Sequence, residues 1–126
     1  MQNLLLVALG GAVGASARHL FSGAALRMWG PAWPWGTFTI NVLGSLLIGV
    51  LAGWLAFRGE GGTQWRLLLG TGVLGGFTTF SAYSLETALM LERKEYLPAA
   101  AYSLGSVAVG LVAVFVGLWL SRRVLA

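Results

Sequence analysis

The sequence contains no cysteine, which excludes disulfides and thiolate chemistry alike. Charge is scarce too: charged residues fill 10% of 126 positions, against about 25% in an ordinary soluble domain. Aspartate is absent, and the one lysine stands beside seven arginines. No basic run exceeds two residues, which leaves no footprint for nucleic acid. No nucleophile with its base and no cluster of metal-ligating side chains suggests an enzyme. What is present is apolar, with 57% hydrophobic residues and a mean hydropathy of +0.79. So little polar surface cannot cover a particle of this size in water. The chain reads as an integral membrane protein.

A membrane-spanning helix needs about 20 largely apolar residues. Four segments qualify: Leu4 to Leu26, Gly36 to Phe57, Leu67 to Leu91 and Leu97 to Leu120. The first lacks a basic leader and a cleavage site, so it reads as a retained span rather than a signal peptide. Residues 1–126 then form a single all-α transmembrane domain. Its connections are short, and the first combines Gly30, Pro31 and Pro34 with Trp29, Trp33 and Trp35, an interfacial aromatic belt. Gly10 and Gly14, Gly49 and Gly53, and Gly72 and Gly76 recur at four-residue spacing, which lets helix backbones approach closely.

Four spans place Arg58, Arg66, Arg122 and Arg123 on one side of the membrane. Arg27, Arg93 and Lys94 lie on the other, with Arg18 if it reaches that end. The balance predicts no preferred orientation. A chain that inserts both ways can form an antiparallel homodimer, and four slender helices are too few to enclose a hydrated path alone.

Polar groups inside spans are costly and point to function. Thr37, Asn41 and Ser45 share one face of the second span. Tyr102 and Ser106 form a stripe on the fourth, which Gly110 continues without a hydroxyl. Arg18 lies about 21 Å into the first span at 1.5 Å per residue. There it either snorkels to the interface or sets a fixed positive charge in a vestibule. Glu86 is the one carboxylate within a span, and an interfacial or intersubunit partner is expected for it. In "GGFTTFSAYS", residues 75 to 84, Gly75 and Gly76 followed by Thr78 and Thr79 predict a break in the third helix over 75–78. Unwound backbone at that depth is tolerated only where buried in protein or lining a cavity. Freed carbonyls there suit a cation. Phe77, Phe80 and Tyr83 then recur along one side, and ring edges carry partial positive charge toward an anion.

Three motifs, "GGAVGASAR" at 10–18, "GTFTINVLGSLLIG" at 36–49 and "GVLGGFTTFSAYS" at 72–84, resemble the Fluc (CrcB) family of fluoride channels. They fall in order on three of the four spans. The resemblance implies a dual-topology antiparallel homodimer with two pores in a prokaryotic inner membrane, passively exporting fluoride. It implies a fluoride pathway of Asn41, Phe80, Tyr83, Tyr102, Ser106 and Arg18. It further implies a structural Na⁺ held by the backbone carbonyls of Gly75 and Thr78. Two positions depart from the family pattern: Tyr83 stands where phenylalanine is usual, and Gly110 where the polar track often has a hydroxyl. The rival reading is a small dual-topology proton-coupled multidrug or cation exporter. That chemistry calls for a mid-membrane carboxylate, and Glu86 lies near an interface.

Overall fold

The computed structural model describes residues 1–124, and every regular element among them is helical. Helix α1 (Gln2–Trp29) is followed by α2 (Trp35–Leu55). A 3₁₀ turn, Gly59–Gly62, leads into α3 (Thr63–Trp65), which continues as a π-helical run, Arg66–Leu74, and then α4 (Gly75–Phe77). Helix α5 (Phe80–Glu92) and helix α6 (Tyr96–Val124) complete the chain.

The turns follow from local chemistry. Gly30, at φ 76°, closes α1 by donating to the Leu26 carbonyl at 2.9 Å. Trp33 packs over Trp35 at 4.5 Å and Phe38 at 5.2 Å between ring centroids, which fixes the entry into α2. The α5–α6 corner is a Schellman-type cap, with Lys94 N–H on Leu91 O and Glu95 N–H on Met90 O. Lys94 takes the left-handed position at φ 60° that glycine more often fills.

Three helices, α1, α2 and α6, are long and apolar enough to cross a membrane. The third predicted span, 67–91, does not form one helix. The rod from α3 to α4 and helix α5 divide it, with Thr78 (φ −83°, ψ 156°) and Thr79 (φ −149°, ψ 121°) extended between them. The sequence reading put this break over Gly75–Thr78, but Gly75 is right-handed helical at φ −62° and ψ −38°. Gly76 is there for packing: a Cβ at this position would fall 2.7 Å from the Gly11 carbonyl and 3.1 Å from Ala15 N. The two β-branched threonines leave the helix instead, and the missing Cβ of Gly44 on α2 makes room for the Thr78 methyl.

All three glycine pairs carry close helix contacts. Gly10 and Gly14 of α1 press on the π-helical run, and a Cβ at Gly72 would lie 2.9 Å from Gly10 Cα. Gly49 and Gly53 of α2 meet Val114 and Ser121 of α6, where Gly117 returns the contact against Gly49 Cα. Backbones this close gain dispersion contacts without needing a hydrophobic drive. Large apolar side chains face outward, Leu97 at 81% and Leu104 at 70% exposure, the inverse of a protein dissolved in water.

Candidate functional site

The extended pair Thr78–Thr79 would leave backbone groups without helical partners, and side chains from two other helices take them over. Asn41 of α2 donates from Nδ2 to the Thr79 carbonyl at 3.0 Å and accepts from Thr79 N–H at Oδ1 at 2.8 Å. One carboxamide thus satisfies both backbone groups of one residue, as a neighbouring β-strand would. Arg18 of α1 donates from Nε to the Gly76 carbonyl at 3.1 Å. Thr79 also caps α5, its Oγ1 accepting from Ala82 N–H at 3.2 Å. Two carbonyls are affected by these choices. In a continuous helix Gly75 O would receive Thr79 N–H and Thr78 O would receive Ala82 N–H. Here Thr79 N–H goes to Asn41 and Ala82 N–H to the Thr79 hydroxyl.

Beside the interruption lies a groove of about 420 Å³ whose lining includes Asn41, Ser45, Gly75, Thr78, Thr79, Phe80, Tyr83 and Ser106. Phe80 is 78% exposed, its ring 5.6 Å from that of Tyr83. The Tyr83 hydroxyl donates to the Ser103 carbonyl of α6 at 2.8 Å. The added hydroxyl therefore ties α5 to α6 rather than presenting a free donor. Ser106 Oγ is buried and has no hydrogen-bond partner among the described residues. Ser45 Oγ donates to Asn41 O at 2.7 Å and lies 3.5 Å from where a Cβ at Gly110 would stand. A hydroxyl from α2 thus borders the place on α6 where the polar stripe lacks one.

Phe77 does not join Phe80 and Tyr83. The interruption turns it toward α1, where it meets Phe21 edge-on at 6.3 Å. The regular three-residue spacing suggested one aromatic side, but such spacing holds a common face only while the helix continues.

Toward the α5–α6 corner, Glu86 accepts from Thr37 Oγ1 at 2.6 Å and from Tyr102 OH at 3.3 Å. Both of these partners lie within the chain. Glu86, Thr37, Trp33 and Arg93 also line a second cavity, of about 300 Å³. Tyr102 has no exposed surface and packs against Tyr83 at 5.4 Å and Trp33 at 5.3 Å, between the groove and this cavity.

Of the residues nominated from sequence, Asn41, Phe80, Tyr83, Ser106, Gly75 and Thr78 come together on the groove. Tyr102 stands behind Tyr83, and Arg18 reaches the interruption from the α1 side. Neither is part of the groove lining. Thr79 was missed as a site residue. Its signal was a hydroxyl three residues before Ala82, the spacing of a helix cap just after two helical glycines.

Taken together, the helices and groove define a small helical membrane protein with a polar site built into its apolar interior. Residues 5–118 match the family described as "CrcB-like protein, Camphor Resistance (CrcB)". The chain belongs to this family. It is 64% identical to the "Fluoride-specific ion channel FluC" of Phenylobacterium zucineum, over 100% of both chains. It is 55% identical, again over 100% of both, to the protein of the same name from Caulobacter vibrioides. With that of Mesorhizobium japonicum it shares 52% identity, over 97% of this chain and 98% of the relative.

Proposed function

We propose that the protein is a passive fluoride channel of a prokaryotic inner membrane, relieving fluoride toxicity by letting accumulated F⁻ leave the cell. The observation that carries this reading is the groove, taken with full-length similarity to relatives named for that activity. It gathers aromatic rings and polar donors beside a helix interruption and offers no side-chain cation to trap an anion. Asn41 Nδ2 has two hydrogens, one of which bonds Thr79 O. Its second hydrogen and the unpartnered hydroxyl of Ser106 are donors for a dehydrating ion. The edges of Phe80 and Tyr83 add weak positive potential without holding the ion tightly. Several weak sites permit both entry and exit. Arg18, near the interruption, raises local anion concentration, and Tyr102 with Glu86 lies at the far end of the path.

The third span is then the α3–α4 rod plus α5, interrupted at Thr78–Thr79 within the membrane. The balance of arginines across the loops supports insertion in both orientations and an antiparallel homodimer with two pores. The exposed Phe80 ring suits a groove completed by a second chain. The carbonyls of Gly75 and Thr78 fit a structural Na⁺. They are hard, neutral oxygens, and the N–H groups that a helix would aim at them bond elsewhere. A bound ion would be held by these carbonyls at the dimer interface and would supply positive charge beside the interruption.

The test is fluoride efflux from liposomes holding the purified protein, with chloride as control. Rapid fluoride release with chloride retained is the expected result. Fluoride trapped inside vesicles that contain intact protein overturns the reading.

A further inference from the structure

The cation-holding carbonyls and the anion groove meet at one side chain. We infer that Asn41 is a positioning residue for the cation site: its carboxamide holds Thr79 extended and so keeps the Gly75 and Thr78 carbonyls available to an ion. The inference rests on the proposed Na⁺ site and adds to it the group that maintains it.

The geometry leaves little alternative support for Thr79. Its N–H and carbonyl both bond the same carboxamide, at 2.8 and 3.0 Å, from a helix 38 residues earlier in the chain. Deleting that carboxamide strands two backbone groups in a part-buried site. A stranded buried group costs about 1–3 kcal/mol, and the chain's cheapest repair is local. Thr78 and Thr79 rotate toward helical φ and ψ, and the Thr79 N–H returns to the Gly75 carbonyl. Helix α4 then runs on into α5, and the Gly75 oxygen is no longer open to a cation. The Ser45 hydroxyl, one turn along α2, is engaged with the Asn41 backbone carbonyl at 2.7 Å and so does not compete for the carboxamide. Gly44, one turn away on the same helix, provides the space that the extended Thr78 methyl occupies. Helix α2 therefore both admits and clamps the interruption.

Linkage makes the inference two-directional. If Asn41 holds the site open for Na⁺, bound Na⁺ must in turn stabilise the Asn41–Thr79 bonds by the same free energy. A role confined to touching fluoride predicts no such reciprocity.

The experiment uses the full-length protein, with thermal unfolding followed as Na⁺ replaces a bulky organic cation. In the wild type the melting temperature rises with Na⁺. In Asn41→Ala, and in Asn41→Leu, which keeps the side-chain volume, the Na⁺ concentration giving half that rise increases about tenfold, equivalent to about 1.4 kcal/mol. Amide hydrogen exchange on the wild type needs no variant: exchange in the segment containing Thr79 slows when Na⁺ is added. A wild-type melting temperature indifferent to Na⁺ overturns the cation site and this inference with it. A wild type that responds, beside variants with unchanged half-saturation, overturns the inference alone and leaves Asn41 to the anion path. Exchange at Thr79 unaffected by a cation that raises the melting temperature has the same meaning.

Discussion

Tyr83 donates its phenolic hydrogen to the backbone carbonyl of Ser103, 2.8 Å away on the neighbouring helix. The hydroxyl that distinguishes this side chain from phenylalanine is thereby held against α6, while the ring lines the groove. Tyr83→Phe should therefore keep conducting fluoride and lose about 0.6 kcal/mol of stability, the mean value of such a bond between membrane helices. Tyr83→Leu, which deletes the ring edge, should lose fluoride efflux with the protein still folded. Liposome efflux beside thermal unfolding distinguishes the two. If Tyr83→Phe begins to pass chloride, the hydroxyl faces the ion after all.

Gly110 and Gly117 lie two helical turns apart on α6 and should respond oppositely to alanine. A Cβ at Gly110 makes ordinary contact with Ser45 Oγ at 3.5 Å. At Gly117 it would run into the Leu46 carbonyl and lie 2.8 Å from Val50 N on α2. Gly110→Ala should leave the melting temperature near that of wild type. Gly117→Ala should cost about 1–3 kcal/mol through overpacking. Equal sensitivity of the two positions would contradict this account of how α2 meets α6.

Glu86 supports two hydroxyls at once, and removing it should be costly chiefly because of the one that is buried. Tyr102 is fully enclosed, so Glu86→Ala strands its phenol at a cost of about 1–3 kcal/mol. Adding Tyr102→Phe removes the stranded group, and the double variant should be more stable than the sum of the single effects. A double-mutant cycle on thermal stability measures the coupling. Strict additivity would mean that the 3.3 Å contact contributes nothing.

Arg18 should matter through its donor as well as its charge. Arg18→Met keeps the apolar stem but leaves the Gly76 carbonyl without its 3.1 Å partner. Stability should fall by about 1 kcal/mol, the low end of the cost of an unsatisfied acceptor because this one is part-buried. Unfolding that shifts only in low salt would instead assign Arg18 a purely electrostatic role.

The helix interruption shows how far reading the sequence can go. Two glycines followed by two threonines were enough to predict a departure from helix over 75–78, while the groove residues around it were named by the family resemblance. The wrong part was which residues depart. Glycine permits a bend but does not require one, and here the crowding of Gly11 and Ala15 holds Gly76 in the helix. Thr78 and Thr79 leave because Gly44 and Asn41, some 35 positions away, accept them there. The same interruption sent Phe77 to Phe21 while Phe80 and Tyr83 stayed on the groove.

Composition alone determined that this chain belongs in a membrane, because no arrangement of 10% charged residues can cover its apolar mass in water. Local spacing determined which glycines would carry helix contacts, since four residues is close to one helical turn wherever the helix lies. Family motifs marked positions that the fold gathers on the groove. Only the tertiary structure decided what those positions do for one another: that Asn41 clamps Thr79, that Tyr83 is tied to Ser103, and that Glu86 is partnered within its own chain. Each of those bonds joins separate helices. Their existence depends on helix rotation and depth, quantities set by packing between segments and absent from the periodicity of any one of them.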